Sequence, residues 1–351
     1  MAHLYGHNYS HKDLARRTGL LEQVAGIRMI ELADGWGRGV RAAHLHTGSG
    51  LSATLLVDRG LDIYDADYKG ASLAWVSATG PKHPAYFEPE GLGWLRSFYG
   101  GLVVTCGLSS AGATCVDDSE ALGLHGRYSH TPASNVHIGN EWRGDDYIVF
   151  IEGEVREARV FHENLLLRRR IEFTAGSNVI AIHDTVSNEG FQRVPHMQLY
   201  HCNIGFPVVD EGSRFVVLSK TVTPRDDEAR TGFKEYDRLS APIPNYREQV
   251  YYHDAQADKD GYVKASIVNP AFNGGKGLAV SVRYRQRELP RLIEWKMVGE
   301  DVYCVGIEPA NCLVEGRDKD RANGILEFLD PGETRSYHLE VGVQETADLK
   351  A

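Results

Sequence analysis

Apolar and polar residues alternate along most of this chain with the two-residue period of a half-buried strand. Val40–His46 and Leu51–Val57 flank the turn Gly48-Ser49-Gly50, and Leu61–Tyr68 carries the meander into Lys69-Gly70. Tyr147–Val155, Leu165–Thr174 and Val179–Val186 repeat the pattern, with Ala175-Gly176-Ser177-Asn178 as one of the turns. Gly277–Arg285, Arg291–Met297, Val302–Glu308, Gly324–Leu329 and Tyr337–Val343 fill the last third. Strands at this spacing, with no long helix between them, predict an antiparallel all-β architecture. Roughly fifteen strands exceed what a small sandwich needs, so the pattern predicts two large curved sheets in one domain over residues 1–351.

Two stretches depart from the strand period. Ser10-His11-Lys12-Asp13 has the form of a capping box, and Gly19 ends the helical arm it opens, over about residues 10–20. Glu90 to Tyr99 reads as a second short helix or an ordered loop. Residues 222–260 carry prolines and charges without periodicity and are expected to form a long excursion, a lid or an interface arm. Gly35-Trp36-Gly37-Arg38-Gly39 fits neither dinucleotide nor phosphate-loop spacing and is read as a turn.

Composition changes this picture only by exclusion. Hydrophobic residues make up 42% and charged residues 25%, enough apolar material for a sizeable core. A net charge of −10 argues against nucleic acid or an anionic membrane as partner. Arg168, Arg169 and Arg170 are the one tight basic cluster, and strand alternation sends neighbours among them to opposite faces. No apolar run reaches the roughly 20 residues that span a bilayer. The first residues lack the order of a signal peptide, which leads us to expect a cytoplasmic protein. The odd count of five cysteines, without a C-x-x-C pair, is expected to stay reduced. Nothing in the composition bears on oligomeric state, and a homodimer stays open.

Three segments carry candidate chemistry. Gly123-Leu124-His125-Gly126-Arg127 sets a histidine and an arginine between glycines that allow a ligand close to the backbone. A turn histidine satisfied by carbonyls is an equal reading there. Along Val194–Gly205, strand geometry puts Met197, Leu199, His201 and Asn203 on one face, placing an imidazole at the end of an apolar stripe. Histidine gains or loses a proton near neutral pH, as an acid catalyst must. In Val302-Tyr303-Cys304-Val305-Gly306-Ile307-Glu308-Pro309 a carboxylate closes an apolar strand, and Pro309 keeps Glu308 extended. Desolvation at such a place raises a carboxyl's proton affinity and makes a base suited to neutral pH.

Taken in order with Asp58-Arg59-Gly60-Leu61-Asp62-Ile63 and the closing turn Leu329-Asp330-Pro331-Gly332-Glu333, these segments resemble the galactose mutarotase-like superfamily. The likeness is closest to its aldose 1-epimerase-like branch and runs from about Leu20 to Val343. It implies a large antiparallel β-supersandwich and a cofactor-free isomerase of sugar anomers with no catalytic metal. Glu308 would be the base at the anomeric hydroxyl, His201 the acid at the ring oxygen and His125 an assistant. Arg59 would bind sugar, with Arg127, Asn203, Trp295 and Lys296 as further binding candidates. The chain departs from the better-known members in placing Tyr200 before the central histidine rather than an aromatic after it. It also has no securely matched sugar-holding aspartate. Two other functions fit the same residues: epimerisation or isomerisation at another carbon, with His125, His201 and Glu308 as ligands of an assisting metal, or carbohydrate binding without catalysis.

Overall fold

The computed structural model describes residues 2–346. Strands account for 49% of the chain and helices for 12%, so the all-β expectation holds. Every ladder between strands is antiparallel. An eight-stranded sheet runs in the order 134–143, 146–158, 164–174, 179–188, 334–344, 278–285, 262–269 and 214–216. A seven-stranded sheet runs 219–224, 249–255, 291–298, 303–310, 194–205 and 327–329, with 104–108 also paired to 194–205. A five-stranded meander, from Gly26–Glu31 to Ala71–Ser72, completes the layers.

Period-two alternation explains how the layers meet. Tyr200, Cys202 and Ile204 point into a large apolar core that the meander and the eight-stranded sheet also line. Met197 and Leu199, one residue out of phase, join a smaller cluster with Trp94, Phe98, Val250 and Ile293 on the sheet's other face. The arginine run obeys the same rule. Arg169 is buried, whereas Arg168 lies on the outer face with Glu154 and Glu189 as partners.

The helices are short, and the first one is capped as read. Ser10 Oγ accepts from the Asp13 N–H, and the Asp13 carboxylate accepts from the Ser10 N–H, over helix His11–Ala15. Gly93–Ser97 is a single 3₁₀ turn inside the 90–99 loop, and Gly35–Gly37 is another between two strands. Residues 222–260 correct our expectation. They supply two outer strands of the seven-stranded sheet around a short helix, Asp227–Thr231, rather than a free lid. The segment reads as irregular because most of it, 225–248, is a short helix, a 3₁₀ turn and loops between the edge strand 219–224 and the inner strand 249–255. All five cysteines are free, and burial holds the thiols of Cys106, Cys202, Cys304 and Cys312 in the protonated, inert form. No helix among the described residues is long and apolar enough to cross a membrane.

Candidate active site

Three central strands place the site. The register that pairs Cys202 with Ile307 and Asn203 with Gly306 sets His201 directly across from Glu308. On the next ladder Glu308 faces Ile293 and Gly306 faces Trp295, and Trp295 in turn faces Val250. Residues two apart share a face, so Glu308, His201, Trp295, Ile293 and Val250 converge on one surface, joined by Glu248 at the strand start. Loops bring Leu92, Trp94, Leu95, Phe98, Leu124 and His125 over it. The result is a cleft of about 250 Å³.

His201 Nε2 lies 3.2 Å from Glu308 Oε1, and both side chains are almost fully buried. Glu308 Oε1 and His201 Nδ1 make no hydrogen bond among the described residues. Buried polar atoms without partners are uncommon and call for an explanation. Gly306 is what gives the carboxyl room, since a Cβ there would sit 2.5 Å from Glu308 Oε1. Glu308 is not at a strand end, as its sequence suggested. The strand continues through Pro309 to Ala310, and the carboxyl lies mid-sheet.

Burial drives the electrostatics of all three titratable groups. It pushes the Glu308 carboxyl well above the usual carboxylate range; Glu248 adds to the effect and Arg225 opposes it. Burial takes His201 down to about 3, helped by His125 and opposed by Asn203. His125 falls to about 4 through burial alone. Its ring centroid is 5.7 Å from that of His201, and its Nδ1 accepts the Gly112 N–H, which puts the proton of the neutral ring on Nε2. His125 holds a left-handed φ of 57°, and a Cβ on the following Gly126 would strike the carbonyls of Ser110 and Gly107.

One wall of the cleft is a linked polar group. The Trp295 indole N–H donates to Glu248 at 2.8 Å, and Arg225 bridges Glu248 at 3.1 Å and Asp226 at 2.8 Å. Sequence reading missed Arg225 and Glu248 because both lie in the segment without visible periodicity. The signal was present in the alternation Glu248, Val250, Tyr252, which becomes legible once that stretch is known to be a strand.

Four expected binding residues lie elsewhere. Arg59 is buried, with its guanidinium spent on the carbonyls of Ser129 (2.6 Å), Lys82 (2.9 Å) and Ser97 (2.9 Å) and stacked on Tyr99. It ties together the loops that carry Trp94, Phe98 and His125. Arg127 is exposed and lines a separate small pocket with Glu157 and Gly126. Asn203 is fully buried, with its amide N–H groups bound to the carbonyls of Gly101 and His201. Lys296 points away from Trp295, as alternation requires, and donates to the carbonyls of Glu235 and Arg238. A larger concavity of about 420 Å³ has its four arginines paired, Arg317 to Asp117 and Glu120, Arg321 to Asp117, Arg159 to Glu120 and Arg193 to Asp330. Among the described residues, no three His, Cys, Asp or Glu side chains gather as a metal-binding group.

The arrangement can be set beside known proteins. A family model described as a domain of unknown function, DUF4432, matches residues 37–343. The chain belongs to that family. No curated protein matches it. Among solved structures, it is similar to a protein from Klebsiella pneumoniae provisionally assigned as an aldose 1-epimerase, at 25% identity and a TM-score of 0.87 over 94% of this chain and 88% of that one. A galactose mutarotase-like protein from Clostridium acetobutylicum matches at 14% identity and a TM-score of 0.64, over 92% and 99% of the two chains. A galactose 1-epimerase from Lactobacillus acidophilus matches at 12% and 0.53, over 92% and 99%. This DUF4432 protein therefore has the galactose mutarotase-like fold.

Proposed function

We propose that this DUF4432 protein is an aldose 1-epimerase. The observation that carries the reading is the buried Glu308–His201 pair, 3.2 Å apart on the floor of the cleft. The relatives named above support it through their shared fold. In the reactive arrangement Glu308 is a carboxylate and His201 is an imidazolium. Glu308 takes the proton of the sugar's O1 hydroxyl, the C1–O5 bond breaks with its electrons going to O5, and His201 gives O5 a proton. The ring opens to an aldehyde, and the pair is left as carboxylic acid and neutral imidazole. Rotation about C1–C2 and the reverse transfers give the other anomer and restore the pair. General acid and base steps each contribute ~10²–10⁴-fold, enough for an intrinsically easy reaction.

The pair holds one proton throughout, so its two arrangements belong to the same protonation state. Burial favours the neutral arrangement, and the sugar's hydroxyl donating to Glu308 offsets that preference. This fixes the pH dependence. His201 takes a second proton only near its depressed value of about 3, and Glu308 keeps its proton above the usual carboxylate range. The kcat/KM for anomer exchange is therefore expected to stay level as pH falls from 6.5 to 5. It should decline as pH rises through the elevated value of Glu308. An acid limb near 6.5, where an unperturbed histidine titrates, would count against the assignment.

Glu248, Arg225 and Trp295 bind the sugar in this reading, with Glu248 accepting from ring hydroxyls and fixing the indole. Glu248 would thus occupy the role for which the sequence offered no aspartate. Glu248→Ala removes a charged acceptor worth about 1.5–3 kcal/mol and should raise KM by roughly 10–100-fold while changing kcat far less. Initial-rate exchange kinetics would show the split; a drop confined to kcat would place Glu248 in the chemistry instead.

A further inference from the structure

Resting on those proton roles, we propose that the cleft selects an aldose with a methyl group on carbon 5, a 6-deoxyhexopyranose. The two sides of the His201–Glu308 pair differ in character. In the seven-stranded sheet the Glu308 strand, 303–310, is followed on one side by 291–298 and 249–255, which bring Trp295 and Glu248, with Arg225 held on Glu248 at 3.1 Å. On the other side the His201 strand, 194–205, pairs with 104–108, and beside it stands His125, its ring 5.7 Å from that of His201. It packs 4.8 Å from the Trp94 ring, and the Leu124 N–H donates to the Gly91 carbonyl, which brings Leu92, Leu95 and Leu124 to the same side.

Pyranose connectivity turns this asymmetry into a substrate. C1 is flanked by O1 and C2, whereas O5 is flanked by C1 and C5. A base at O1 and an acid at O5 send the 2- and 3-hydroxyls toward Glu248 and Arg225. The substituent on C5 then goes to the His125 side, against leucines. Two of the polar atoms there are already engaged: the Trp94 indole N–H donates to Ser129 Oγ at 3.1 Å, and His125 Nδ1 accepts from Gly112. The third, the His125 Nε2–H, is directed at the ring oxygen in this pose, assisting His201. Leu92 and Leu95 are exposed in the open cleft, so a methyl seated on them covers apolar surface, whereas a 6-hydroxyl would give up water there for no partner of its own. The charge balance also points to a neutral sugar. Among the described residues the one arginine lining the cleft, Arg225, is shared between Asp226 and Glu248, which leaves no free cation there for a carboxylate or phosphate on the sugar.

The test compares sugars that differ only at carbon 6, such as 6-deoxygalactose with galactose and 6-deoxyglucose with glucose, in both enantiomeric series. Anomer exchange by the full chain is followed by saturation-transfer NMR. The 6-deoxy member of the best-turned-over pair is expected to have the higher kcat/KM by about 10–100-fold, the discrimination available to an apolar pocket against one added hydroxyl. Leu95→Gln should shrink that ratio by about tenfold. Equal or better turnover of the parent hexose overturns the proposal while leaving the epimerase reading intact. If no sugar exchanges, that reading fails, and binding of the same pairs decides the specificity: tighter 6-deoxy binding sustains it, and parity, hexose preference or no sugar binding overturns it.

Discussion

Glu308→Gln is expected to lower anomer exchange by about 10²–10⁴-fold while leaving sugar binding largely intact. Glutamine preserves the shape and one acceptor oxygen in a site already cleared by Gly306, so it removes the proton acceptor without opening a cavity. It should also leave the fold no less stable. A carboxyl whose folded pKa is raised by burial contributes its stability below the unfolded value and loses it as pH rises through the folded value. Glutamine carries no such penalty, so its advantage over Glu308 should grow as pH rises toward the elevated value of Glu308. Exchange measured in D₂O gives a further reading from the same sample. Ring opening moves only hydroxyl protons, whereas epimerisation at a C–H centre would write deuterium into the sugar. Wild-type exchange rates in the glutamine variant would sink the mechanism. Exchange absent from the wild type as well, with sugar still bound, would mark a binding protein.

The largest loss of stability is expected from Arg169→Met, about 3–5 kcal/mol by urea denaturation. Arg169 is buried between two carboxylates, with Nε and Nη2 on Asp184 at 2.9 and 2.7 Å and Nη1 on Asp62 at 2.6 Å. Tyr200 OH donates to Asp184 at 2.7 Å, and Thr105 donates to Asp62 through both its N–H and its hydroxyl. Burial lifts the Asp62 carboxyl above its ordinary range even with Arg169 beside it. Methionine fills similar volume but strands two buried charges, and the penalty comes from them rather than from lost contact area. A loss under about 1 kcal/mol would show that water or protonation relieves the carboxylates. The network lies directly behind the site, because Tyr200 and Thr105 face each other in the ladder that also pairs His201 with Val104. It anchors the strand that presents His201.

The sequence by itself determined most of the strands and the faces of the central ones. Alternation along Val194–Gly205 already put Met197, Leu199 and His201 on one side and Tyr200 and Cys202 on the other, because a strand's side-chain period does not depend on what surrounds it. The same rule kept the three arginines apart, and the Ser10–Asp13 cap was legible because capping is a local hydrogen-bond exchange. Residue type and an apolar setting also marked Glu308, His201 and His125 as candidates, and the fold brings the three into one cleft. The ladder register, which is set by long-range pairing and packing, decided that Glu308 and His201 would face each other. Tertiary structure also decided where each charge finds its partner. Arg59 resembles a ligand-binding arginine in sequence, yet three backbone carbonyls from distant loops consume its donors. Lys296 sits beside a cleft residue in sequence and on the opposite face of the sheet in space. Glu248 and Arg225 are the converse: they enter the cleft only because an irregular segment pairs as outer strands. A donor's partner is fixed by distance and desolvation in three dimensions, and one-dimensional spacing carries that information only where the contact is local.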